Sequence, residues 1–270
     1  MNLVVEQIAW FGKVARRRDL RERGCTDWNI AVAAREGLIT KVARGYFALP
    51  GAELLDIRLA QHQARRTCFS QAEKMGLWVI KAPDKPHVAA AHGRPVPGCV
   101  VHKTSGVPTP FDVLRQCVRC GTEVEALAVL ESAVVLKHCT IPQLRAAFSG
   151  RYGARGRAII DMIDPQSMSI VETVARYHLR RAGYNVQSQY HVKRMGHVDL
   201  LIEGLLGLET DGAAYHNTPT AWEEDLVRNN MMMIEGLPCL RVTARMVLNR
   251  PDIMLNWVRQ TLARLTAAST

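Results

Sequence analysis

Apolar positions in LVVEQIAWF, residues 3–11, recur at helical spacing and predict a first short helix. A second, charged helix is expected from Arg17 to Arg23, stopping at Gly24. Thr26 or Asp27 can cap a third helix from Trp28 to Glu36, which ends at Gly37. LITKVARGYFAL then reads as two short β-runs about a turn at Arg44 and Gly45. In the middle of the chain, CFSQAEKMGLW predicts a helix from Ser70, the proline-broken runs KAPDKPHVAAAH and GCVVHKTSG short strands, and TEVEALAVLESAVVLKH an amphipathic helix. The last hundred residues are the most regular. Ser169 precedes an amphipathic helix from Ile170 to Ala182, stopped by Gly183, and NVQSQYHV, HVDLLIE and LLGLETD follow as β-runs. A helix over 220–235, a strand at PCLRVT and a helix from Pro251 to Ala267 complete an αβββαβα order.

Three segments follow from this pattern. Residues 1–52 have the element order of a winged helix-turn-helix, 53–165 form a mixed α+β middle segment, and 166–270 form an α/β domain with an αβββαβ core. A helix fits the B-DNA major groove, and a basic ribbon beside it can rest on phosphates. Asn29 and Arg35 would face the groove, with Lys41 and Arg44 on the wing. A small helical module whose cations are only a solvated face satisfies the same pattern.

Composition narrows the partner. The chain has 270 residues with 35 Lys and Arg against 25 Asp and Glu, a formal charge of +10. The first fifty residues carry nine Lys and Arg against five acids, the densest cation excess, and the last hundred are close to neutral, so nucleic acid is the expected partner of the N-terminal segment. Charged residues break every apolar run before it could span a bilayer, so no membrane partner is expected. The N-terminus places apolar residues before basic ones, the reverse of a secretory signal, and a cytoplasmic location is expected. Seven cysteines suit reduced thiols rather than a disulfide framework. Cys117 and Cys120 make a lone C-x-x-C whose neighbours, His138 and Cys139, are adjacent and poorly placed for zinc. His87, His92 and His102 are not at metal-ligand spacing. The expectation is two buried helix thiols and ordinary surface or hydrogen-bonded histidines.

The chemistry lies among the acids. Asp199 is in the second strand of the C-terminal domain, and Glu209 and Asp211 stand two apart on the third, sharing a face. Converging carboxylates repel one another unless a hard divalent cation such as Mg²⁺ or Mn²⁺ sits among them, and such a cation can activate water for phosphodiester hydrolysis. Ser169-x-x-Glu172 also reads as a capping box. Asp225 and Arg228 are spaced for a surface ion pair, and Met231, Met232 and Met233 face different sides of one helix as packing residues.

LGLETDGAAYHNTPTAWEEDLVRNNMMMIEGLPCLRVTA, with Asp199 upstream and Glu172 before it, resembles the endonuclease-like domain related to very-short-patch repair endonucleases, in the PD-(D/E)XK superfamily. The family's positions correspond to Glu172, Asp199, Glu209, Asp211, His216, Asp225, Arg228 and Arg241. The resemblance implies a metal-dependent endonuclease in which Asp199, Glu209 and Asp211 hold Mg²⁺ or Mn²⁺, Glu172 supports them and His216 moves protons. One departure stands out: Asp211 occupies the place of the superfamily's motif lysine, so the cation must come from elsewhere, with His216, Arg228 and Lys193 the candidates. RRRDL, the turn at Gly24 and RGYFALPG resemble the winged-helix domain of AbiEi-type antitoxins. Together these imply a DNA-binding protein in a phage-defence or toxin-antitoxin-like setting, with room for a toxin or other protein partner and a homodimer. The alternative is a non-catalytic, antitoxin-like transcriptional regulator with a degenerate nuclease fold.

Overall fold

The computed structural model describes residues 2–192, 196–211, 227 and 230–268. The chain divides into two compact units, Met1–Met75 with Ala82–Gln116 and Gly76–Lys81 with Cys117–Thr270, so the middle segment contributes to both.

The first unit opens with α1 (Leu3–Trp10), β1 (Val14–Arg16), α2 (Arg17–Glu22), α3 (Asp27–Arg35), β2 (Thr40–Ala43) and β3 (Tyr46–Ala48). The strands form a three-stranded antiparallel sheet in the order β1-β3-β2. Strand β1 has only three residues, too few to show a period, and the hydrophobic pattern does not predict it. Val4, Ile8, Ala15, Leu20, Cys25, Ile30, Ala33 and Ile39 form the core of this part. Thr26 and Asn29 make a reciprocal capping box that starts α3, satisfying two backbone donors at the helix entrance.

The same unit continues with α4 (Leu54–Gln61), β4 (Ala64–Arg66), α5 (Cys68–Lys74), β5 (His87–Ala90) and β6 (Val100–Lys103). Helix α5 starts two residues before the expected Ser70. These strands form a second sheet in the order β4-β5-β6, with β5 antiparallel to β4 and parallel to β6. Helix α6 (Pro110–Cys120) begins in this unit and runs without a break past its end.

The second unit contains α7 (Glu123–Val135), α8 (Ile141–Ala147), α9 (Ala154–Ile160) and α10 (Ile170–Arg181). Helix α7 corrects an expectation. Residues Ala126 to Ala133 are all buried, so it is a core helix enclosed on every side rather than an amphipathic one. Burying Glu131 is possible because Arg176, Thr173 and the Asp164 main chain surround its carboxylate.

Strands β7 (Val186–Val192), β8 (Gly196–Ile202) and β9 (Leu206–Asp211) form an antiparallel meander, and β10 (Cys239–Thr243) returns parallel to β9. The sheet order is β10-β9-β8-β7. Helices α11 (Ala244–Asn249) and α12 (Pro251–Ala268) follow. Val174, Leu179, Leu200, Ile202, Leu206, Leu208, Val242, Val247, Met254 and Val258 join helices and sheet into one core. Gly207 is closely approached: a Cβ there would lie 3.1 Å from Cys239 Sγ and 3.2 Å from Val198 Cγ1, so these side chains would have to give by a few tenths of an ångström. Among the described residues, no helix is long and apolar enough to cross a membrane.

Candidate functional site

Strands β8 and β9 bring the acids toward one another through Thr210. The Thr210 amide and hydroxyl donate to Asp199 Oδ2 at 2.8 and 2.9 Å, fastening Asp199 to the stretch between Glu209 and Asp211. Both bonds fall on Oδ2, so Oδ1 is the oxygen Asp199 can offer a cation. Glu209, adjacent to Thr210 in sequence, is buried at 6% exposure.

Glu172 comes from the first turn of α10. Its amide donates to Ser169 Oγ, as a capping box requires, but its carboxylate does not complete the box at the Ser169 amide. Oε2 instead accepts from Met168 N–H at 3.0 Å and from Gln189 Nε2 at 2.9 Å. Burial is the main reason the Glu172 carboxyl titrates above the usual carboxylate range, and the Asp199 charge pushes the same way against the bond from Met168. Two carboxylates that feel each other in a partly dry site form a hard oxygen-donor set short of positive charge. That chemistry fits a divalent cation.

Gln189 carries no sequence signal for this role. Register pairs Ser188 with Leu200 and Tyr190 with Val198, so Gln189 stands across from Asp199 where the regular pairing is interrupted. Its φ is 48°, a left-handed value unusual for a residue inside a strand. Such strain persists only where the surroundings overdetermine it, and here the local kink directs the amide to Glu172.

Asp211 has a different partner. Arg241 Nη2 lies 2.6 Å from Asp211 Oδ1, and Arg241 Nε lies 3.2 Å from both carboxylate oxygens. Parallel pairing of β10 with β9 places Arg241 opposite Glu209, one strand over. Arg241 therefore brings its guanidinium from β10 onto Asp211 at the end of β9. His216, Asp225, Arg228 and Lys193 lie outside the described residues.

These features of α10, the meander and the returning strand converge on one comparison. Residues 171–262 match the restriction endonuclease-like family REase_MTES_1575. The match supports a nuclease-like domain in the C-terminal part, and its range includes Glu172, Asp199, Glu209, Asp211 and Arg241. No curated protein matches the sequence. The crystal structure of the Rv2827c protein from Mycobacterium tuberculosis shares 19% identity over 60% of this chain and 80% of its own, with a TM-score of 0.26, a likeness that carries no weight for fold or function.

In the first unit, Asn29 commits its amide oxygen to Thr26, accepting from the backbone N–H at 3.0 Å and from the hydroxyl, which leaves its Nδ2 for another partner. Arg35, Lys41 and Arg44 are exposed. Arg44 also lines a groove of about 790 Å³ with Arg16, Arg17, Arg18 and Arg21. In the sequence, RRRDL is no more than a marker of family resemblance. Folding brings its arginines beside the β2–β3 turn in a groove that Glu22 also lines, with Arg17 ion-paired to Asp27 and Arg18 to Glu22.

Proposed function

We propose that this chain is a DNA-binding protein whose nuclease-like domain hydrolyses phosphodiester bonds with Mg²⁺ or Mn²⁺. The observation that carries the reading is Asp199, bound through one oxygen to Thr210 between Glu209 and Asp211 while its charge acts on Glu172. Asp199 and Glu209 would hold the cation, which when bound supplies Lewis acidity and a more acidic water. Glu172, positioned by Gln189, supports that shell and retains a proton more readily than an ordinary carboxylate. Arg241 sets the position and charge of Asp211 and supplies the cation that the motif otherwise lacks. His216 is assigned proton transfer on the family resemblance.

The N-terminal part supports delivery to DNA. Its order of helices and strands, α1-β1-α2-α3-β2-β3 with β1 closing the sheet, agrees with a winged helix. Arg35 on α3, Lys41 and Arg44 on the ribbon, and the arginine groove form the contacting surface, with Asn29 contributing through Nδ2. A phage-defence or toxin-antitoxin-like setting and a homodimer belong to the same proposal.

Nicking of supercoiled plasmid with Mg²⁺ or Mn²⁺ tests the enzyme, with an Asp199→Ala, Glu209→Ala double variant beside it. Equal nicking by both proteins removes the claim. A second reading, a regulator with a degenerate site, draws on the Arg241–Asp211 ion pair, which neutralises an acid the metal would otherwise use. Calorimetric titration separates the two, since a regulator takes up no Mg²⁺ or Mn²⁺ in a manner dependent on Asp199.

A further inference from the structure

Cys68, His87 and His102 bring one ligand atom each to within 4.8 Å of one another. All three stand within the first unit, apart in sequence from the acids of the nuclease-like domain. We propose that this unit by itself binds a zinc ion through three protein donors, one thiolate and two imidazoles.

Sheet register brings the histidines together. Parallel pairing of β5 with β6 sets His87 opposite Val100 and Ala89 opposite His102. His87 and Ala89 are two apart on one strand, so His87 and His102 project from the same face of the sheet as diagonal neighbours. Val88 and Ala90 project from the other face, into the apolar cluster with Leu59 and Ala64. One face of β5 thus packs hydrocarbon while the other carries the imidazole. His87 Nδ1 stands 3.1 Å from His102 Nε2. Nitrogens bound to one tetrahedral zinc at about 2.0–2.1 Å each would be roughly 3.3 Å apart, so this spacing is already close to that of two ligands on a common ion. A hydrogen bond between the rings would give the same spacing, but it does not account for a third donor.

That donor comes from α5, which packs against β5. Cys68, fully buried, is the first residue of the helix. The turn that carries it is fastened to His87. Thr67 N–H donates to the His87 carbonyl at 3.0 Å, His87 N–H donates to Ser70 Oγ at 2.9 Å, and the Phe69 ring meets the His87 imidazole edge to face. Gln116, in the same unit, accepts from the Thr67 hydroxyl and from the Cys68 amide at 3.1 Å. Supporting interactions of this kind orient metal ligands before the ion arrives. Cys68 also has φ 51°, a conformation unfavourable for a residue with a Cβ, sustained next to its fixed neighbours. A sulfur at about 2.3 Å and a nitrogen at about 2.0–2.1 Å from one tetrahedral ion are roughly 3.6 Å apart. Closing to that distance from 4.8 Å or less asks for a movement on the order of 1 Å, within reach of side-chain rotation.

Thiolate and imidazole together are the donor set that tetrahedral zinc prefers, whereas Mg²⁺ takes oxygen. Three protein donors hold zinc with the fourth tetrahedral place taken by water or a further ligand. Such an ion would link α5, β5 and β6 within the first unit. Spacing along the chain points elsewhere, to Cys117 and Cys120, and treats His87 and His102 as ordinary. Of those two helix thiols, Cys117 is buried as expected and Cys120 is exposed.

The test uses the full-length chain, reduced, loaded with zinc and desalted, with metal measured by plasma mass spectrometry. One zinc per chain is expected, and X-ray absorption at the zinc edge should show sulfur at about 2.3 Å with imidazole nitrogen at about 2.0–2.1 Å. Because these two measurements are made on the unaltered protein, misfolding of a variant cannot obscure them. His102→Ala, on a half-buried strand position, should preserve the far-ultraviolet dichroism and weaken zinc by more than the roughly 10- to 100-fold that removing a supporting residue costs. Asp199→Asn should keep its zinc, so failure of the nuclease assignment would leave this result standing. An unaltered chain that retains no zinc overturns the proposal, as does a zinc shell without sulfur or a His87→Ala, His102→Ala variant that binds zinc as the original does.

Discussion

Arg241 on β10 grips Asp211 on β9, with Nη2 2.6 Å from Oδ1 and Nε within 3.2 Å of both oxygens. The ion pair sets a guanidinium against the acid two residues after Glu209. Arg241→Gln should lower single-turnover plasmid nicking by about 10²- to 10³-fold, the scale of removing one preorganised charge donor. Arg241→Lys should recover part of it, because a point charge cannot reproduce the two-pronged grip. A rate for Arg241→Gln equal to the original would sink this role.

Gln189 predicts a trade between stability and activity. Gln189→Gly relieves the positive φ and removes the bond to Glu172. The midpoint of thermal unfolding should rise or hold while nicking falls, the pattern of strain retained for function. A joint decline of stability and activity would instead mark Gln189 as a packing residue.

Glu172 gives a pH dependence of defined sign. Its folded carboxyl, raised chiefly by burial, binds its proton more tightly than in the unfolded chain. Below the unfolded carboxylate pKa both states are protonated and no penalty exists. As pH rises through that value, the unfolded state releases its proton first and folded stability declines until the folded group also ionises. Glu172→Gln should therefore match the original protein in acid and exceed it near neutral pH, as followed by urea unfolding at several pH values. Mg²⁺ should narrow the gap by stabilising the ionised form. An advantage of Glu172→Gln that grows toward acid would contradict the sign.

Glu131 and Arg176 form an ion pair at 0% and 1% side-chain exposure, with Thr173 and Asp164 N–H also on the carboxylate. Glu131→Ala leaves a buried guanidinium without its counter-charge and should cost about 3–5 kcal/mol in urea unfolding. A cost within about 1 kcal/mol, the range of exposed pairs, would show that water replaces the carboxylate.

The arginine groove predicts a salt signature. Replacing Arg17, Arg18 and Arg44 together by alanine should weaken duplex DNA binding at low salt without changing preference among sequences. The slope of log affinity against log salt should become shallower by about 0.9 for every phosphate that the three arginines neutralise. Arg35→Ala on α3 should alter preference among sites as well as affinity. An unchanged slope would remove the groove from the interface.

Periodicity and punctuation carry most of the local structure. In the C-terminal domain, Ser169 and Gly183 bracket α10, and turns separate three alternating runs, so the helix and meander are legible from neighbouring residues. The acids are visible too, because a charged residue inside an apolar strand violates the pattern around it. Helix α7 reads as amphipathic because Glu131 resembles a solvent-facing position, and its burial depends on Arg176 and Thr173, more than forty residues away. Strand β1 is too short for a period and exists through its pairing with β3.

Local order along a chain follows from rotamer, hydrogen-bond and hydrophobic preferences of residues a few positions apart, and those preferences make the first three helices, α10, the meander and the candidate acids legible. Which charges neutralise one another follows from strand register and helix packing, which no local window contains. Only the folded chain joins Arg241 to Asp211, turns Gln189 onto Glu172 and sets His87 against His102. The reason is distance. These interactions act over a few ångströms in space, yet 17 positions of sequence separate Glu172 from Gln189 and 30 separate Asp211 from Arg241.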